Sequence, residues 1–225
     1  MPHITSANIA CGAHAGDPNV MAATLALAKK HGVAVGAHPG FADLQGFGRR
    51  PLRLSPEELR NLVLYQIGAL WAFARAEGIE LHHIKPHGAL YNMASADATV
   101  ARPIVRAVKE FSSSLAIFCL PTSALEQEAR QTGLVAVPEG FADRAYQPSG
   151  SLADRGAPGA LVADPETAAE RAVQLAAGSV TCLDGSTLRL SVRTICVHGD
   201  TPGAPQIAAA VRRALEQSGF AVTAP

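Results

Sequence analysis

The chain has 225 residues, 48% of them apolar and 17% charged, enough apolar material for one large buried core. Its 19 basic and 19 acidic residues cancel, which argues against nucleic acid or an anionic membrane as the main partner. No apolar run reaches the ~18 residues of a membrane-crossing helix, no basic-then-apolar leader follows Met1-Pro2-His3, and four scattered cysteines (Cys11, Cys119, Cys182, Cys196) without a CxxC pair read as thiols of a cytoplasmic protein.

In chain order, residues 4–10 read as a strand that breaks into the Gly/Ala loop "CGAHAGD". A helix follows, with Asp17 as its N-cap, Pro18 at its first position and Gly32 at its end. "VAVGAHPG" is the next strand and loop, and "SPEELRNLVLYQIGALWAFARAEG" a long amphipathic helix with a Ser55–Glu58 capping box. "LHHIKPHGALY" is a strand running into a loop. "ATVARPIVRAVKEF" is a helix that Pro103 breaks or kinks. "LAIFCLP" and "LVAVPEGFADRAY" are strands around the helix "SALEQEARQTG". "DPETAAERAVQLAAG" is a helix capped by Asp164, "RTICVHGDTPGA" a strand and loop, and "PQIAAAVRRALEQSG" the closing helix. The longest Gly/Pro/Ser-rich stretch, residues 147–164, reads as an active-site loop within a single domain spanning 1–225.

About six strand–loop–helix repeats predict an α/β fold with a parallel sheet, either a β/α barrel or a distorted relative, with an open doubly wound sheet as the alternative. Polar residues collect just after the strands: His14 and Asp17; His38, Asp43 and "GFGRR"; Lys85 and His87 in "KPHGALYN"; Glu139, Asp143, Arg144 and Tyr146; His198 and Asp200 in "VHGDTP". In a barrel such loops open on one rim, so these residues are expected to share a pocket. Asp17 serves at least as a cap, and Arg49 and Arg50 are either a solvated pair or include one grip for a substrate carboxylate. Lys85, inside an apolar strand, needs a carboxylate partner or a functional task. Two chemistries fit: metal-assisted hydrolysis through histidines and carboxylates, or metal-free proton handling by Lys85 and a histidine. No GxxxxGK[ST] motif and no GxGxxG opening a helix points to nucleotide binding by this chain.

Six motifs, "TSANIACGAHAGDPNVM", "GVAVGAHPGFADLQGFGRR", "YQIGAL", "HIKPHGALYN", "EGFADRAY" and "TICVHGDTPGA", resemble the LamB/YcsF family in the right order over nearly the whole chain. The resemblance implies a distorted (β/α) barrel of the glycoside hydrolase/deacetylase type. It also implies one component of an ATP-dependent 5-oxoprolinase that opens the lactam of 5-oxo-L-proline to L-glutamate together with subunits B and C. The family usually begins with a segment like "DLNADLGE", so the chain reads as lacking the first strand and its acidic residues. Ala13 stands where the family usually has Phe. By resemblance and loop position, Lys85 and His87 are assigned to catalysis and His14 and His38 to a divalent metal ion. Asp43, Arg50, Arg144, His198 and Asp200 are assigned to the substrate. A homo-oligomer is compatible with this reading. The alternatives are a stand-alone metal-dependent deacetylase or carbohydrate hydrolase, and a non-catalytic substrate-binding subunit.

Overall fold

The computed structural model describes residues 1–225. A six-stranded sheet runs in the order β1 (Ser6–Ala10), β2 (Ala34–His38), β3 (Leu81–Ile84), β4 (Ala116–Cys119), β5 (Val135–Phe141), β8 (Thr194–Cys196). Its β1–β2, β2–β3, β3–β4 and β5–β8 ladders are parallel. The order is sequential, as in a barrel, and lacks the reversal that defines a doubly wound sheet, so the barrel-type alternative is the correct one. By their internal contacts the residues form two compact units, Thr5–Val137 with Met1, and Pro138–Pro225 with Pro2–Ile4.

In the first unit the helices α1 (Pro18–His31), α2 (Pro56–Ala76), α3 (Gly88–Ala96), α4 (Ala98–Phe111) and α5 (Ala124–Gln131) alternate with the strands. The expected caps are in place: Asp17 Oδ1 accepts from Val20 N–H at 2.9 Å, and Gly32 closes α1 at φ 64°. Ser55 and Glu58 exchange both hydrogen bonds of their box. Each satisfies donors that a helix leaves unpaired at its start. The core is aliphatic, with Leu25, Val63, Ile67, Leu70, Ile84, Ile104 and Ile117 fully buried.

Two local expectations change. Pro103 does not break α4, which runs unbroken to Phe111 with Pro103 itself buried. Ala101, Ile104, Val105 and Val108 bury the helix against α2 and α5, and packing outweighs the lost hydrogen bond. The stretch after His87, read as a loop, is α3. No side chain caps it, so its sequence carries no start signal, and it is held by burial of Leu90, Tyr91 and Ala94.

In the second unit α6 (Pro165–Ala176) packs on α7 (Ala204–Gln217) around Ala168, Ala172, Ile207, Val211 and Leu215. The strands β6 (Ser179–Thr181) and β7 (Thr187–Arg189) form an antiparallel hairpin that the sequence pattern does not announce. Its turn is Asp184-Gly185, the dipeptide that suits positive φ. The 147–164 segment folds on a small alanine cluster of Ala145, Ala153 and Ala160.

Candidate active site

Three histidines of the first unit meet at the ends of its strands. The His14 and His87 rings stack at 3.9 Å with planes 3° apart, and His38 stands edge-on to both, 5.8 and 4.8 Å away. Gly48, at φ +65°, makes the stack possible: a Cβ there would lie 2.9 Å from the His14 Cβ and 3.0 Å from the His87 ring. Next to it Phe47 takes φ 54°, a left-handed conformation unfavourable for a bulky residue. Its carbonyl accepts from His87 Nε2–H at 2.7 Å, and its ring sits edge-on to His14 and His87.

The loop carrying His38 is clamped from α2. Buried Gln66 accepts from Gly40 N–H at 2.9 Å and donates to Gly40 O at 2.8 Å. This gives the "YQIGAL" motif a structural task that its sequence alone does not reveal. Lys85 follows β3 directly and is 4% exposed. Its N–H extends the ladder to Ala37 O, its carbonyl accepts from His38 Nδ1–H at 2.6 Å, and its Nζ lies 5.8 Å from the Tyr91 ring centre.

Hydrogen bonds define the protons of this group. His38 Nδ1 donates to one carbonyl and His87 Nε2 to another, while 3.0 Å separates His87 Nδ1 from His38 Nε2. Three bonds need three protons, one more than two neutral imidazoles carry. With both rings neutral, the two protons go to the carbonyls, and His87 Nδ1 and His38 Nε2 face each other through their lone pairs. Burial, then the nearby His87 and Lys85, keeps the His38 pKa well below that of a free imidazole. Burial, with His87 and Arg49, lowers the His14 pKa to about 3.

The metal role expected for His14 and His38 does not fit this arrangement. His14 and His38 stand edge-on to each other, with ring centres 5.8 Å apart. His38 Nδ1 is held by Lys85 O, His14 Nδ1 is buried without a hydrogen-bond partner, and no three His, Cys, Asp or Glu side chains are placed to share an ion.

Asp43 and Arg50, both expected at the substrate, bind each other. Asp43 accepts from Arg50 Nε at 3.0 Å, from Arg50 Nη2, and from Gly46 N–H at 3.0 Å, closing the 43–50 loop. The hydrogen bond from Arg50 is the main cause that brings the Asp43 pKa down to about 2.

In the second unit Asp143 is 1% exposed and takes three hydrogen bonds: from His198 N–H and Nδ1–H, both at 2.9 Å, and from Thr201 Oγ at 2.9 Å. Burial alone would push this carboxyl up; the hydrogen bonds from His198 and Thr201 outweigh it and hold it low. With Nδ1–H held, the proton-accepting nitrogen of His198 is Nε2. Arg144 donates to Ala153 O at 2.5 Å, and its own carbonyl accepts from Arg171, so it braces the 145–161 segment. Asp200 is exposed between β8 and α7.

Known proteins resemble this chain over its whole length. The LamB/YcsF family pattern matches residues 1–225. The chain is 54% identical over 224 residues to the 5-oxoprolinase A component of Thermus thermophilus, covering 99% of this chain and 90% of that one. It is 53% identical over 225 residues to the protein of the same name from Syntrophobacter fumaroxidans, covering 100% and 89%. With the one from Pyrococcus furiosus it shares 51% over 223 residues, covering 99% and 88%. The crystal structure of a lactam utilization protein from Thermus thermophilus superposes with a TM-score of 0.93 at 53% identity, covering 100% of this chain and 90% of that one. The chain belongs to the LamB/YcsF family.

Proposed function

We propose that this chain is the A component of an ATP-dependent 5-oxoprolinase and opens the lactam of 5-oxo-L-proline to L-glutamate with partner subunits B and C. The observation that carries the reading is 54% identity, over 99% of the chain, with the A component of a 5-oxoprolinase. The strand-end cluster supplies chemistry that a lactam needs. Ring opening adds water to the carbonyl carbon, breaks the C–N bond and places a proton on the departing nitrogen. Phosphorylation of the lactam oxygen by ATP, with ADP leaving, makes that carbon electrophilic, and once water has added and the C–N bond has broken the phosphoryl group departs as inorganic phosphate. In the absence of a phosphate-cradling motif, the nucleotide belongs to the partner subunits.

Within this division, His38 and His87, whose facing nitrogens lie 3.0 Å apart, handle the proton that reaches the ring nitrogen. Lys85, buried beside it, stabilises negative charge developing on the substrate oxygen. His14 stacks on His87 and holds its ring plane. In the second unit, Asp143 holds His198 Nδ1–H, so that Nε2 is the nitrogen that can accept a proton. Arg144, Asp43 and Arg50 shape loops rather than hold substrate. No step is routed through a metal ion. We place the protein in the cytoplasm, a reading supported by its four cysteines, none of them in a disulfide; no helix is long and apolar enough to cross a membrane.

The reading is tested by glutamate release from 5-oxo-L-proline with ATP, Mg²⁺ and both partners. Turnover that depends on this chain supports it. No turnover, with partners that are competent beside a relative's A component, rejects it.

A further inference from the structure

A further histidine, outside the strand-end cluster, lies one layer deeper in the same sheet. Asn8 of β1 is in register with Gly36 of β2, and Gly36 with His83 of β3. The His83 ring crosses over Gly36 and reaches the outer strand, where its Nε2–H donates to Asn8 Oδ1 at 2.9 Å. Only glycine permits the crossing, since a Cβ at position 36 would lie 2.2 Å from His83 Nε2. The ring is fully buried, stacked on Phe118 at 3.9 Å with planes 6° apart, and its Nδ1 meets His82 Nδ1 at 3.2 Å. Burial first, then His82 and Lys85, lowers its pKa to about 3, so it is a neutral ring whose one N–H is committed to Asn8.

A buried histidine, a stacking aromatic and an obligatory glycine thus fix one exposed asparagine. Asn8 itself is exposed. With its oxygen held by His83, its amide NH₂ is the group left to offer. Residues two apart on a strand share a face, so Asn8, Gly36 and His83 lie on the face that carries His38 and Lys85. Ala10 pairs with His38 two residues along the ladder. The two rows are separated by two residues, roughly 6.6 Å along the strands. A five-membered lactam with an exocyclic carboxylate spans such an interval, with its reacting carbonyl at the upper row and its carboxylate at the lower.

We propose that Asn8 is a substrate-binding residue that donates its amide N–H to the carboxylate of 5-oxo-L-proline, and that His83 is its positioning residue. The assignment rests on the oxoprolinase reading above. It accounts for selection of a carboxylated lactam over a plain one, because a site that donates to a carboxylate discriminates against the analogue lacking it.

The test uses the assembled complex, with steady-state kinetics on 5-oxo-L-proline and inhibition by 2-pyrrolidinone, the same lactam without the carboxylate. Asn8→Ala is expected to raise KM about 10-fold or more, the loss of a hydrogen bond to a charged group, with kcat within about twofold and the 2-pyrrolidinone Ki unchanged. Asn8→Asp keeps the oxygen that His83 holds but presents negative charge, and raises KM further. His83→Phe reproduces Asn8→Ala, and His83→Gln, which can still donate, recovers part of the loss. Unchanged KM in both Asn8 variants overturns the assignment, as does an equal rise in KM and in the 2-pyrrolidinone Ki. Unchanged KM in His83→Phe overturns the positioning role. A wild-type complex without turnover overturns the oxoprolinase reading and this assignment together.

Discussion

Burying a lysine among apolar residues is unfavourable unless its charge is used or matched, and Lys85 is 4% exposed. If it stabilises charge on the opening lactam, Lys85→Ala lowers kcat of the complex by about 100-fold or more, while co-purification with the partners persists. A component that merely holds substrate keeps its activity, so the kcat of this one variant separates the two roles. Asp143→Asn weakens the grip on His198 Nδ1–H, and the expected loss of activity is about 10- to 100-fold, as for other groups that orient a working histidine. His14, His38, Lys85 and His87 were legible as residues because they stand in Gly/Ala- or Pro-containing stretches at or just past strand ends. Asn8, His83 and Gln66 were not. They lie inside regular elements, where a polar side chain looks ordinary until strand register and helix packing show what it touches. The pairing of Asp43 with Arg50 was equally hidden, since seven residues of loop carry no fixed geometry.

At the scale of elements, the β1–β2–β3 ladder and the His83 crossing stand or fall together. Gly36→Ala forces a Cβ against the imidazole, and the expected loss of stability is about 1–3 kcal/mol, as for overpacked interiors, read as a lower denaturant midpoint with unchanged m-value. The same element predicts a pH response. His83 has a pKa of about 3 in the folded chain against 6.5 for an unperturbed imidazole. Between those values the unfolded chain binds the proton and the folded chain does not. Its contribution to stability is therefore complete above about pH 6.5 and declines as the pH falls toward 3. Urea midpoints measured across that range should fall with pH in the wild type and fall less in His83→Phe. Capped helices were readable in advance because Asp17, Ser55 and Asp164 announce their starts. The short helix α3 announces nothing, and the β6–β7 hairpin rests on strands of three residues, too short for a periodic signal.

For the molecule as a whole, alternation of strand and helix was sufficient to identify a parallel α/β fold, and the sequential strand order selects the barrel type. The loop positions expected to be functional do carry the histidine cluster of the first unit and the Asp143–His198 pair of the second. What the alternation could not supply was the division of labour among those residues, because it depends on which nitrogen donates to which oxygen. The central claim is that the chain completes a lactam-opening enzyme, and its most direct test is coupled product formation. Glutamate and ADP should appear together from 5-oxo-L-proline and ATP when this chain, Mg²⁺ and both partner subunits are mixed, and both should be lost with Lys85→Ala. Partners that make glutamate with the Thermus thermophilus A component but none with this chain would contradict the account.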